Sequence, residues 1–107
     1  MAEKMVADLS PSKFNEFIGK GKVLVDFYAD WCMPCLTMSP VVESLAEKFK
    51  GKLKFGKLNI DDGNEIAQKL RISSIPTFIL FKDGKPSAQF TGSMSSEDFE
   101  GKIRKNI

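Results

Sequence analysis

The sequence predicts an α/β fold, a central mixed five-stranded sheet flanked by four helices. Three observations predict it. Short β-branched and aromatic runs alternate with apolar stripes at helical spacing, giving the order β-α-β-α-β-α-β-β-α. Strands separated by helices imply parallel pairs with right-handed crossovers. Asp83-Gly84, between the last two strand-like runs, is a hairpin signal that adds an antiparallel pair. At 107 residues the whole chain, 1–107, is expected to be one domain.

Each element has its own signal. Met5-Val6-Ala7 is a short apolar strand. Ser10-Pro11 is an N-cap followed by Pro at the first helical position, where a missing N–H costs nothing. Phe14, Phe17 and Ile18 form the stripe of that helix, which Gly19 or Gly21 ends. Lys22 to Ala29, KVLVDFYA, is almost continuously apolar, the mark of a central strand covered on both faces. The next helix starts near Pro34, continues through the apolar residues Leu36, Met38, Val41, Val42, Leu45, Ala46 and Phe49, and stops at Gly51. Pro40 inside it removes the bond to the Leu36 carbonyl and is expected to kink it. Leu53 to Ile60 is a second long strand, Asp61-Asp62-Gly63-Asn64 a turn, and Glu65 to Leu70 a short helix with Ile66, Ala67 and Leu70 inward. Pro76 to Phe81 is the third long strand, and Ser87 to Thr91 returns after the hairpin. Ser95 with Asp98 resembles a capping box, Asp replacing the usual Glu, and opens a last helix carrying Phe99 and Ile103, with Ile107 near its end.

Composition narrows the function. With 42% hydrophobic and 28% charged residues the chain can bury its own core, and two cysteines are too few for a disulfide scaffold. The net charge of +2 is small, and 16 basic residues are interleaved with 14 acidic ones. That gives no positive case for nucleic acid or an anionic membrane. The N-terminus, MAEKMVADLS, lacks the apolar core of a signal peptide, and no run has the length of a membrane-spanning helix. A cytoplasmic, reducing setting is the expectation.

Trp31-Cys32-Met33-Pro34-Cys35 holds the only two cysteines and the only tryptophan. Thiols at i and i+3 either grip a metal or trade electrons through a reversible disulfide. Structural zinc needs four ligands, usually Cys and His, and the chain has no third thiol and no histidine. Four thiolates from two chains, around zinc or an iron–sulfur cluster, stay open as a minor alternative. Otherwise neither metal nor bound cofactor is expected. A purely structural disulfide is the bland alternative. Its loop is so short that chain entropy gives only about 2 kcal/mol. Strained or exposed disulfides are the labile ones, so electron exchange is favoured.

The pair lies just beyond the C-terminal end of a central strand, the edge where open α/β sheets carry their sites. Exchange needs a thiolate. Without an imidazole, the activating group is the helix that Pro34 begins, whose unpaired N–H groups and positive dipole end favour an anion at Cys32. Cys32 is the expected nucleophile. Cys35, about one turn in and more buried, is the expected resolving thiol. Asp26 interrupts an apolar strand. Burial there raises a carboxyl pKa. It is either a proton exchanger for the Cys35 side or a structural aspartate satisfied by hydrogen bonds, and position alone weighs the two equally. Alternation puts Lys57 on one face with Leu53 and Phe55, so it either points inward near Asp26 or is a surface lysine. Trp31, on a turn beside two thiols, is expected to shield them and touch substrate. Met33 and Pro34 set the geometry of the loop. Only about 5–6% of X-Pro bonds are cis, so from the residues alone Ile75-Pro76 is expected trans.

The segments VLVDFYADWCMPC, IPTF, KDGK and TGSMS, in that order and spacing, resemble the thioredoxin family over essentially the full chain. A Cys-x-x-Cys pair is a familiar mark of that family and weak alone. With Trp31, Asp26, Lys57, Ile75-Pro76 and Gly92 it is specific. The resemblance implies the thioredoxin fold, with Met5-Val6-Ala7 as an extra N-terminal strand. It implies a protein thiol-disulfide oxidoreductase that reduces disulfides in target proteins. It implies that Pro76 is cis and packs against the thiols. It implies that the Ile75 backbone, Trp31 and Gly92, beside Met33 and Pro34, line a shallow groove for an extended segment. It makes Asp26 a proton relay tuned by Lys57. It implies a thioredoxin reductase as electron source, NADPH being used only indirectly; a monomer is expected. Two departures stand out, Met33 where the family most often has Gly and Tyr28 where it commonly has Trp. Met33 sits beside both sulfurs and is expected to shift reduction potential and partner preference, which comparison with Met33→Gly tests. A disulfide oxidase or isomerase of the same fold and a non-catalytic binding module are the competing readings. The first usually carries a His between the cysteines.

Overall fold

The computed structural model describes residues 5–107, so residues 1–4 of the N-terminal segment MAEKMVADLS lie outside it. In chain order the elements are β1 (Val6–Asp8), α1 (Pro11–Ile18), β2 (Lys22–Tyr28), α2 (Met33–Lys48), β3 (Lys54–Asn59), α3 (Asn64–Lys69), β4 (Thr77–Lys82), β5 (Lys85–Thr91) and α4 (Ser96–Asn106). The strands form one mixed sheet in the order β1-β3-β2-β4-β5. The expected element order and fold class are both present.

Strand β2 sits at the centre because it has no polar face to show water. Val23, Val25 and Phe27 point to one side and Leu24 to the other, all fully buried. On the first side they meet Phe14 and Ile18 of α1, with Leu58, Ile79 and Phe81. Phe14 is 5.7 Å from Phe81 and 6.0 Å from Phe27 between ring centres. On the second side Leu24 and Phe55 meet Met38, Val42 and Leu45 of α2, Phe49 at its C-cap, and Phe99 and Ile103 of α4. Each buried Phe or Leu contributes about 1.5–3 kcal/mol, and close aromatic pairs about 0.5–1.5 kcal/mol more. The sheet therefore separates two cores, each closed by helices.

One connection differs from expectation. β1, β3 and β2 are mutually parallel, but β4 runs antiparallel to β2 although a helix precedes it. The six residues of α3 rise only about 9 Å, against about 20 Å for a six-residue strand. α3 therefore cannot return the chain along the sheet, and β4 starts at the edge where β3 ends. This reversal places Ile75-Pro76 at the same edge as the Cys loop.

Other details follow local chemistry. Ser10 is the N-cap of α1 but its hydroxyl makes no cap bond, facing Ser12 Oγ at 3.1 Å. Ser95 does cap α4, accepting the Asp98 N–H at 3.1 Å. Pro40 does not end α2, which continues to Lys48. β5 begins two residues earlier than the pattern suggests and includes Pro86. Pro lacks a ladder donor, but β5 is an edge strand and the register shifts beside it, between Leu80 and Phe81. Asp83 and Gly84 both have positive φ, as a two-residue hairpin loop requires, and Asp83 Oδ1 accepts the Gly21 N–H at 2.8 Å. Gly56 on β3 lies so close to Phe17 and Leu9 that a Cβ there would stand 2.8 and 2.9 Å from them.

Candidate functional site

Four chain segments meet at one edge of the sheet: the end of β2, the end of β3, the start of β4 and the end of β5. The first leads through Trp31 into α2. Cys32 is the N-cap of α2 and Pro34 lies in its first turn, where φ is already helical and no N–H is missed. The Cys35 N–H donates to Cys32 Sγ at 3.2 Å. Such a bond strengthens when the sulfur carries charge. The two sulfurs are joined as a disulfide, with Cα atoms 5.3 Å apart.

The two cysteines are almost equally buried, at 5% and 3% exposure, so accessibility does not separate them as expected. Surroundings do. Cys35 begins the core-facing stripe of α2 that continues through Met38, Val42 and Leu45. Cys32 is flanked in sequence by the exposed Trp31 and Met33.

Opposite the thiols the Ile75-Pro76 bond is cis, as the family resemblance implies and as the residue pattern alone does not. Cys32 Sγ lies 3.8 Å from the Ile75 carbonyl oxygen, and the Ile75 side chain packs on Ala29 and the cysteines. Gly92, at positive φ, donates its N–H to the Pro76 carbonyl at 2.8 Å, fixing the end of β5 to the proline. Trp31 stands out into solvent with its indole N–H on Asp61 Oδ2 at 3.0 Å.

Asp26 is buried on the same face of β2 as Leu24, the face that α2 covers, one step nearer the strand end where the Cys loop begins. Burial pushes its carboxyl up to about 7, the Lys57 ammonium acting in the opposite sense. Its Oδ1 has no hydrogen-bond partner, which a satisfied structural aspartate would have. Lys57 is level with Asp26 across the β2–β3 ladder, but its ion pair, at 3.4 Å, is with Asp8. It also lies 5.5 Å above the Tyr28 ring and is half-buried. Lys57 therefore acts on Asp26 through space while Asp8 shares its charge.

Two residues at this edge escape the sequence pattern. Asp61 reads only as part of a turn, yet it holds the indole of Trp31. The parallel pairing of β2 and β3 was the available signal, since their ends must share an edge. Leu36 reads as one of the apolar residues of α2, yet it is 52% exposed. Among the described residues no group of His, Cys, Asp or Glu side chains is placed to hold a metal ion, and no helix is long and apolar enough to cross a membrane.

Known proteins match this chain in sequence. The thioredoxin family model matches residues 5–105. The thioredoxin of Chlamydia pneumoniae is 42% identical over 102 residues, 95% of this chain and 99% of its own. That of Chlamydia caviae is 49% identical over 88 residues, 82% of this chain and 85% of its own. That of Pseudomonas aeruginosa is 38% identical over the full length of both. The match runs from β1 into α4 and takes in the redox pair, so the chain belongs to the thioredoxin family and is a thiol-disulfide oxidoreductase.

Proposed function

We propose that the chain works as a reductant of protein disulfides, with Cys32 as nucleophile and Cys35 as resolving thiol. The observation that carries this reading is the position of Cys32 Sγ at the N-cap of α2, where it accepts the Cys35 N–H beside the exposed Trp31. In the dithiol form, the Cys32 thiolate attacks one sulfur of a target disulfide. A Cys32–target disulfide forms and the other target sulfur leaves as a thiolate that takes up a proton. Cys35 gives up its proton and attacks Cys32 Sγ. The Cys32–Cys35 disulfide forms and the second target thiol is released. Two electrons pass from the dithiol to the target, giving the oxidised pair seen here.

Asp26 is the proton acceptor for Cys35. It stands on the face of β2 under α2 with a raised pKa and a free carboxyl oxygen, and Lys57 limits how far that pKa rises. Trp31, Met33, Pro34, Ile75, Pro76 and Gly92 receive the extended segment that carries the target disulfide. A thioredoxin reductase returns the electrons, with NADPH as the ultimate donor and no cofactor on this chain. The setting is the cytoplasm, the working form is a monomer of one domain, and neither nucleic acid nor membrane is a partner.

Disulfide reduction by Cys32→Ser and Cys35→Ser variants tests the assignment. Cys32→Ser should lose turnover entirely. Cys35→Ser should trap a stable mixed disulfide with a target. Trapping by Cys32→Ser instead would reverse the two roles. A reduction potential in the range of strong oxidants, about −120 mV, would favour the oxidase reading.

A further inference from the structure

Exposed apolar side chains need no explanation when scattered singly. Here they are not scattered. Among the described residues the large apolar side chains that stand out in solvent are Trp31 at 67%, Met33 at 69% and Leu36 at 52% exposure. All three lie within six consecutive residues around Cys32. Met33 and Leu36 are three apart on α2 and so are neighbours on one helix face. Cys35, between them, turns inward instead. Leu36 has no place in any of the buried clusters or among the residues packed against them. Its exposure therefore has no structural return.

We infer that Met33 and Leu36 form an apolar shelf beside Cys32 that selects disulfide-bearing polypeptide segments with a bulky aliphatic or aromatic residue next to the attacked cysteine. The inference rests on the reductase reading above and gives its substrates a chemical class. The shelf adjoins the redox pair, the Leu36 N–H donating to the Cys32 carbonyl at 3.1 Å, so it lies within reach of a segment that presents a disulfide to Cys32. Its area, on the order of a few hundred Å², is well below the ~800 Å² per partner of a stable interface. That suits a short segment held briefly and not a second copy of the chain. Leu36 acts on recognition and has no part in the exchange chemistry.

Two otherwise identical disulfide-closed peptides test this, one with Leu and one with Ser beside both cysteines, dithiothreitol supplying the electrons. The full chain should show a higher kcat/KM for the Leu peptide. Leu36→Gln should lower the Leu-to-Ser ratio about five-fold, the change that half the burial of a leucine produces. The difference should lie mainly in KM. Met33→Gly should lower the ratio in the same sense, and Leu36→Met should retain it. A ratio unchanged by Leu36→Gln overturns the inference while leaving the reductase reading intact. A wild-type dimer in sedimentation that Leu36→Gln converts to monomer also overturns it, because the shelf would then be a self-interface. Absence of Cys32-dependent reduction of either peptide overturns the underlying reading and this one with it.

Discussion

Asp26 is the carboxylate that lies buried in the core among the described residues. Its carboxyl is raised from 3.8 to about 7, first by burial, with Lys57 opposing. Between those two pH values the folded chain keeps a proton that the unfolded chain releases. The stability linked to Asp26 is therefore full below about pH 4 and falls as pH rises towards 7. Above that it levels off at a penalty on the order of 4 kcal/mol. Asp26→Asn, which cannot ionise, should unfold at a higher urea concentration than wild type at pH 8 and show no such gain at pH 4. An equal gain at both pH values would show that ionisation is not the cause. The position of Asp26 was legible, since one carboxylate in KVLVDFYA stands out. The unpartnered Oδ1 and the Asp8 claim on Lys57 were not, because they depend on how β1 and β3 align.

Helices and strands are legible in the sequence because their signals are local. The stripes of α1 and α4, the apolar run of β2 and the Asp83-Gly84 loop each need only their own residues. The direction of β4 is not a local signal, because it depends on how far α3 can carry the chain. Leu36 is indistinguishable in sequence from the core-facing apolar residues of α2, because the pattern gives composition and not the bearing of the helix on the sheet. Packing between elements is also set by absences. Gly56 lets β3 approach Phe17 and Leu9 with no side chain between. Gly56→Ala should lower stability by about 1–3 kcal/mol, the usual cost of overpacking. The measurement is the urea midpoint. A midpoint within error of wild type would mean that Phe17 and Leu9 shift aside freely.

Across the whole molecule the two cores carry the fold, and the Cys32–Cys35 bridge adds little. It closes a loop with a sequence separation of three. Reducing it should cost no more than about 2 kcal/mol and leave the far-ultraviolet spectrum unchanged. A large loss of helix signal on reduction would mean that the bridge holds α2 in place. Such independence lets one fold persist through both redox forms. The sheet's outer margin has a further consequence. β5 carries Pro86, a register shift lies beside it, and Lys82 and Lys85 flank the turn. A long, flat, unprotected margin would offer free backbone groups to any extended chain. A protein that handles segments opened at their disulfides meets such chains continually. Pro86, which has no N–H to offer, and the lysines at the turn make this end of the margin a poor template for such pairing.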